Sequence, residues 1–409
     1  MKTQATAGNF GKKIRSDCYI EMALQQTGGI QIDLQSKVEV MFGRSNRELV
    51  QEVLAFFDIE HATIKIQDSG ALPFVMAARL EACIKELIDT KKEYLLELQE
   101  FNTSDTIKEQ QRFSRLYLPG NTPSMMLNAG IHQPNGLILD LEDAVAPTKK
   151  HEARFMVRNA LRSLNFYGAE RMVRINQGDR GLEDLEYVIP HHVNLILVPK
   201  VEEASQLVTI QNKIDELKSE YHIEHPIWLM PIIESAKGVM NAYAIAQATD
   251  TVSSMAIGLE DYTADLGVRR TQEANESYFA RNMVVTASVA AGIQAIDSVY
   301  SDVSDMEGLA ENVKTSKSLG FNGMGCIHPR QVRVIHEHYA PIQAEIEKAQ
   351  KIHIAFLEAK EKGLGVVSLG TKMIDAPVVK RAEKLIKLAI EMGKLDKNWM
   401  EILKVERDS

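Results

Sequence analysis

The sequence predicts an α/β protein: a (β/α)8 TIM barrel with a C-terminal helical extension, preceded by a small α+β domain. Three observations carry that expectation. The chain has 409 residues, room for a barrel of about 250 residues plus one smaller unit. From Phe113 onward one theme recurs eight times: a short Val/Ile/Leu-rich run, a polar loop, then a longer amphipathic stretch. The runs are near-continuous rather than alternating, the mark of parallel strands buried on both faces. A doubly wound open sheet would also use such strands, but no G-x-G-x-x-G turn follows the first run.

Taken in order, the elements begin with the strand "CYIEMAL" (18–24), preceded by the basic stretch "KKIRSD". "GGIQIDLQSKV" alternates as a strand, and "SNRELVQEVLAFFDI" has a Ser/Asn cap followed by helical apolar spacing. "ATIKIQDSGAL" is a further strand closed by a turn signal. The polar segment "LQEFNTSDTIKEQQR" (98–112) loses periodicity and reads as a helix end running into a linker. The barrel strands are "SRLYLPG" (114–120), "GLILDLED" (136–143), "RMVRIN" (171–176), "NLILVPK" (194–200), "IWLMPIIES" (227–235), "SSMAIGLED" (253–261), "AIDSVYSD" (295–302) and "GMGCIHP" (323–329). Two helices joined by "LGVVSLGTKMIDAP" follow, with Gly363 and Gly365 in a turn between them. The expected division is 1–100 for the first domain, 101–112 for the linker, 113–340 for the barrel and 341–409 for the extension.

Composition narrows the function. Apolar residues at 45% and charged residues at 25% are those of a soluble globular chain able to bury a core. A formal charge of -9 argues against general nucleic-acid binding, which needs a concentrated basic face. Cys18, Cys83 and Cys326 are widely spaced and form no C-x-x-C, so neither a disulfide framework nor a zinc site is expected. No window approaches the apolar length of a membrane span, and the first thirty residues lack a secretory signal, so a cytoplasmic protein is expected.

Barrel active sites lie at the C-terminal ends of the strands. The polar residues there are Asp140, Glu142 and Asp143, then Arg174, Lys200, Glu234, Asp261, Asp302 and His328, with Arg115 inside the first run. A ring of carboxylates on one rim needs counter-charge. Glu234 and Asp261, on adjacent strands, form the best pair for a hard cation such as Mg²⁺, which takes few protein carboxylates and keeps its other positions for water or substrate. Arg174 is placed to grip a substrate carboxylate through two parallel hydrogen bonds. Asp143 and Asp302 read equally well as helix caps. Glu260 and Asp261 are expected to face opposite ways by strand alternation. His328 reads as packed or backbone-bonded, and His191 and His192 as floor residues ahead of a strand.

The motifs "RLYLPGNTPSM", "GLILDLEDAV", "MVRIN", "LVPKVE", "MPIIESAKGV", "AIGLEDYTADLG" and "GCIHPRQ" resemble the HpcH/HpaI aldolase family, in particular the citrate lyase beta subunit and the malyl-CoA and citramalyl-CoA lyases. "GGIQIDLQSKVEVMFG" and "DSGALPFVMAARLEACI" resemble the citrate lyase gamma subunit, an acyl carrier protein. The resemblance implies a fusion of carrier and lyase, with Mg²⁺ on Glu234 and Asp261, Arg174 holding substrate, and Glu142 or Asp143 as base or as partner of the metal's waters. It implies retro-aldol cleavage of citryl-carrier to oxaloacetate and acetyl-carrier, alongside a separate alpha subunit acting as acyl transferase, in a trimeric or hexameric homo-oligomer. The alternatives are cleavage of free malyl-CoA or citramalyl-CoA, and a non-catalytic carrier or scaffold. The family's Arg-Ser pair is replaced by Phe113–Ser114, with Arg115 further on as the stand-in for substrate binding. The family's carrier serine lies two places before an aspartate; aligning that aspartate with Asp17 puts Arg15 at the modified position and Ser16 one place later. Ser16 is thus either the attachment point for phosphoribosyl-dephospho-CoA or an ordinary residue in a carrier fold whose job has lapsed.

Overall fold

The computed structural model describes residues 2–271, 273–361, 363, 367–369 and 372–402. Gly365 lies outside the described residues. Packing divides the chain into two units, Met1–Ile335 and His336–Ser409.

The first unit opens with a four-stranded sheet of order β1-β2-β4-β3, made of β1 (Gln4–Gly8), β2 (Cys18–Leu24), β3 (Ile30–Ser36) and β4 (Ala62–Asp68). Period-2 burial of Cys18, Ile20 and Met22 on β2, and of Ala62, Ile64 and Ile66 on β4, gives the sheet one apolar face. That face is covered by α1 (Glu39–Phe56) and α2 (Pro73–Leu87). α1 starts six residues ahead of the expected Ser45–Asn46 cap: Asn46 is buried inside the helix and donates to Asp68 Oδ2 at 3.3 Å. The helix α2 starts on Pro73, whose missing N–H costs nothing at a first helical position. It ends at Leu87, and 88–99 run without regular structure, so the expected helix end near 98 is replaced by an extended strap.

Eight parallel strands then close into a barrel: β5 (Ser114–Pro119), β6 (Gly136–Asp140), β7 (Glu170–Arg174), β8 (Leu195–Val198), β9 (Trp228–Ile233), β10 (Ser254–Ile257), β11 (Gln294–Asp297) and β12 (Gly323–Cys326), with β12 pairing back onto β5. All eight predicted runs are barrel strands. The intervening helices are α3 (Pro123–Met126), α4 (Lys150–Ser163), α5 (Gly178–Val188), α6 (Ala204–Glu220), α7 (Ala236–Met240), α8 (Ala242–Ala246), α9 (Leu259–Asp265), α10 (Tyr278–Ala291) and α11 (Met306–Leu319), and α12 (Pro329–Tyr339) follows β12. The interior is filled by Ile138, Met172, Leu195, Leu197, Met230, Ile232, Ala256 and Ile296, with Tyr117 and Trp228 against them, so the barrel is a packed core and its chemistry is confined to the rims. The floor is tied by Arg112, whose guanidinium donates to both oxygens of Glu170 at 2.7 and 2.8 Å. Cys18, Cys83 and Cys326 are buried free thiols.

In the second unit α13 (Gln343–Glu361) packs on α14 (Ala376–Glu391) through Ala349, Ile352, Val379, Ala382 and Ile386. Asp375 caps α14 by accepting from Val378 N at 3.2 Å. The connection between the two helices contains a short antiparallel pair, β13 (Val367–Leu369) and β14 (Lys372–Ile374).

Candidate active site

Neighbouring strands β6 and β7 bring Asp140 level with Arg174 at their C-terminal ends. Arg174 Nε and Nη2 donate to the two oxygens of Asp140 at 2.7 and 2.6 Å, a bidentate pair. The same carboxylate accepts from the backbone N–H groups of Glu142 at 2.9 Å and Ala144 at 3.2 Å, so the loop after β6 is folded around it. The two parallel hydrogen bonds expected for a substrate carboxylate are therefore already taken by Asp140. What Arg174 has left is Nη1, 3.0 Å from Glu142 Oε2 and 3.9 Å from Asp143. Its cation lies 5.3 Å above the Tyr117 ring, which presses it toward the rim.

Glu142 is buried, held by Gln177 Nε2 at 2.9 Å, and burial raises its pKa against the opposing pull of Arg174. Asp143 is about half exposed. Lys200, at the end of β8 in a left-handed conformation (φ 50°), points its ammonium into the acidic group: 3.4 Å from Asp261, 3.6 Å from Glu142 and 3.8 Å from Asp143. Burial lowers the Lys200 pKa, but the three carboxylates outweigh it and hold the ammonium charged. The Lys200 backbone N–H donates to Glu234 Oε2 at 3.0 Å.

Glu234 follows β9 directly and is buried. Burial first, then the charge of Asp261, pushes its carboxyl up to about 8. Gly258 makes room for it: a Cβ there would lie 2.4 Å from Glu234 Oε1. Asp261 and Glu260 belong to the first turn of α9 rather than to β10, which ends at Ile257. They part because successive helical residues turn by about 100°, not by strand alternation; Glu260 goes out to Arg270 at 2.8 Å while Asp261 turns toward Lys200.

The rim thus assembles Asp140, Glu142, Asp143, Arg174, Lys200, Glu234 and Asp261. Arg115 stands apart from it. Two residues before Tyr117 on β5, it lies inside the barrel at 1% exposure and donates to Met230 Sδ at 2.8 Å. Asp302 is exposed and closes its own turn onto Ser304 and Asp305. His328 accepts from Arg330 N at 3.2 Å. Ser16 is on the β1–β2 loop of the first domain. The residue that sequence reading underrated is Asp140, and Tyr117 was missed; inward alternation from Ile138 to Asp140, and the pairing of Tyr117 with Ile138, are the signals that point to them. A cavity of about 1140 Å³ opens beside this cluster, between α9, α10 and α11, bounded by Glu260, Arg270, Asp297 and Tyr300. It includes neither Glu234 nor Arg174, and the charged rim is where acid–base chemistry is possible.

Residues 114–329 match the family model "HpcH/HpaI aldolase/citrate lyase", and residues 2–87 match the acyl carrier model "Malonate decarboxylase delta subunit (MdcD)". Citrate lyase subunit beta of Leuconostoc mesenteroides subsp. cremoris is 37% identical over 286 residues, 69% of this chain and 94% of the relative. Human mitochondrial citramalyl-CoA lyase is 31% identical over 301 residues, 71% of this chain and 88% of the relative. The crystal structure of CitE from Mycobacterium tuberculosis with magnesium, acetoacetate and coenzyme A aligns with a TM-score of 0.57 and 28% identity, covering 69% of this chain and 99% of that one. The eight-stranded barrel with its convergent acidic rim, and the carrier-type domain in front of it, agree with these likenesses: the chain belongs to the HpcH/HpaI aldolase/citrate lyase family of carbon–carbon lyases, as a fusion of an acyl-carrier-like domain with a citrate lyase beta-type barrel.

Proposed function

We propose that this chain is the cleaving component of a citrate lyase, converting a citryl thioester carried on Ser16 to oxaloacetate and an acetyl thioester. The observation that carries the reading is Glu234: a buried carboxyl beside Asp261 and Glu142, driven up to about 8 by its burial first and then by the charge of Asp261, in a cluster whose carboxylates outnumber Arg174 and Lys200. A hard divalent cation fits that deficit, with Glu234 and Asp261 as its two protein ligands. Magnesium is present in the M. tuberculosis CitE structure. When bound, Mg²⁺ supplies a Lewis acid that orients the substrate's hydroxyl and carboxylate and lowers the hydroxyl pKa.

The chain's own residues account for the rest. Arg174 Nη1 donates to the carboxylate of the part that becomes the 2-oxo acid, while Asp140 fixes the guanidinium plane. Glu142 is the base: burial raises its pKa toward that of a proton acceptor able to give the proton back, and Gln177 holds it in place. It takes the hydroxyl proton, the carbon–carbon bond breaks, and the electron pair passes to the thioester as an enolate. The Lys200 ammonium lies close enough to offset that charge, and return of the proton from Glu142 to the enolate carbon completes the acetyl thioester and restores the carboxylate.

The carrier-like match over residues 2–87 supports an arm on Ser16, proposed as phosphoribosyl-dephospho-CoA, charged by a separate alpha subunit. A cytoplasmic trimer or hexamer completes the proposal. Glu234→Gln and Asp261→Asn are each expected to abolish Mg²⁺-dependent cleavage; retained activity in either removes that residue from the site. Intact mass of the protein from its native host tests the carrier: an added mass of phosphoribosyl-dephospho-CoA supports it. An unmodified chain that cleaves citramalyl-CoA with Mg²⁺ would replace it with the reading favoured by the citramalyl-CoA lyase relative.

A further inference from the structure

The first domain is fastened to the barrel by buried charges. Along its length α2 packs on α4. Arg158 of α4 and Glu81 of α2, both 0% exposed, form two parallel hydrogen bonds of 3.0 and 2.5 Å, and Asn159 Nδ2 donates to the Phe74 carbonyl at 3.0 Å. In the middle of α2, Arg79 is fully buried. Its Nε and Nη2 donate to Asp17 at 3.1 and 3.0 Å, its Nη1 to Asn121 Oδ1 at 2.5 Å, and its Nη2 also to the Asn121 carbonyl at 3.2 Å. At the other end of the β1–β2 loop, Gly8 N donates to Glu152 Oε2 at 2.6 Å and Lys149 Nζ to the Gly8 carbonyl at 2.9 Å.

These anchors define an end of the barrel. Asn121 follows the C-terminal end of β5, and the N–H of its neighbour Gly120 donates to the Asp140 carbonyl at 2.8 Å. Glu152 and Lys149 belong to the start of α4 and the turn just before it, and Lys150 beside them donates to the carbonyls of Leu141 and Glu142 at 3.1 and 2.8 Å. The loop that carries Ser16 is therefore stapled at both ends to the rim that holds Arg174 and Glu142. Ser16 itself is partly exposed, with φ 56°, beside the exposed Lys12, Lys13 and Arg15, charges suited to an arm's phosphates.

We propose that this domain stays docked and that the arm on Ser16 serves the catalytic rim of its own chain. The inference rests on the reading of Ser16 as the attachment point. A carrier that travels must expose its docking face at each visit; here that would uncover Arg158, Glu81 and Arg79 with their partners removed, the costliest way to open an interface. Only the arm moves, and the separate transferase meets it at the same end of the barrel.

Two full-length variants test this when co-expressed so that any shared assembly contains both: Ser16→Ala, with a competent barrel and no arm, and Glu234→Gln, with an arm and a disabled barrel. The arm is charged with citryl and followed by intact mass. In wild type the citryl mass is expected to fall to the acetyl mass, while the Glu234→Gln chain stays citrylated beside Ser16→Ala, with conversion below one-tenth of wild type. Conversion of the Glu234→Gln arm at a rate comparable to wild type overturns the proposal, because another chain's barrel must have done it. Cleavage of a free citryl thioester by Ser16→Ala verifies that its barrel is folded and active. Failure of the underlying reading has a separate signature: a Ser16→Ala chain that still bears the added mass places the arm elsewhere and withdraws the inference with it.

Discussion

Glu234 sets the conditions under which the rim can be metal-free. Its carboxyl sits at about 8 in the folded chain and near 4.3 when unfolded. Between those values the folded state binds the extra proton, so stability falls as pH rises through the window. Without added metal, the unfolding midpoint of wild type relative to Glu234→Gln is expected to drop from pH 5 to pH 8, and saturating Mg²⁺ should remove most of that drop; thermal scans across pH check both. Gly258 is the second pressure point. A methyl group there meets Glu234 Oε1 at 2.4 Å and Cγ at 2.7 Å, so Gly258→Ala should weaken Mg²⁺ binding by about tenfold or more, the cost of overpacking one ligand, while circular dichroism stays native. Arg174→Lys keeps the charge but loses the fork on Asp140. With charge-assisted hydrogen bonds worth about 1.5–3 kcal/mol, kcat/KM for the thioester is expected to fall by about tenfold to a hundredfold.

At the scale of elements, α2 and α4 stand or fall together. Replacing Glu81 with Gln strands the buried Arg158 guanidinium and should cost about 3–5 kcal/mol in denaturant unfolding. Replacing both partners with Leu and Met should cost much less, and the double-mutant cycle measures the coupling. These two helices also show what the sequence makes legible. The eight barrel strands could be read because each is buried on both faces and so is apolar without interruption, as in "GLILD" and "LILV". Strand β1 could not: "QATAG" carries no apolar run, and it exists because it pairs with β2. The start of α1 was misplaced because Asn46 looks like a cap while its amide answers to Asp68 across the domain. At the site, Glu142, Asp143, Arg174, Glu234 and Asp261 were legible as strand-end polar residues. The occupation of the Arg174 fork by Asp140 was not, since Arg174 reads as a substrate contact and nothing in the sequence pairs it with Asp140 until their strands are in register. Arg115 misled because it sits four residues below the rim: it is level with Gly136 at the start of β6, whereas Pro119 is level with Asp140.

The chain joins a stretch of 286 residues that aligns with 94% of a citrate lyase subunit beta to a domain that covers one of the barrel's own helices. That cover changes what α4 can carry. Arg158 is completely buried, its charge answered by Glu81 from the first domain, with Glu93 at 3.8 Å and the Tyr94 carbonyl at 3.2 Å supplied by the strap that follows it. A barrel cut free at residue 104 would expose the α4 face that meets α2 and leave this guanidinium, together with Glu152, without partners from the first domain. The expected outcome is a fragment that unfolds at lower denaturant than the barrel in the full chain and self-associates through α4, read by the fluorescence of Trp228 in a Trp399→Phe background and by light scattering. If the defect lies in that face, Arg158→Leu in the fragment should not rescue solubility but Arg158→Glu should, since an exposed apolar patch is relieved by charge variety and net repulsion rather than by more apolar area. A fragment as stable and monodisperse as the full chain would mean that the two domains fold independently and that the buried pairs between α2 and α4 contribute nothing to holding the barrel together.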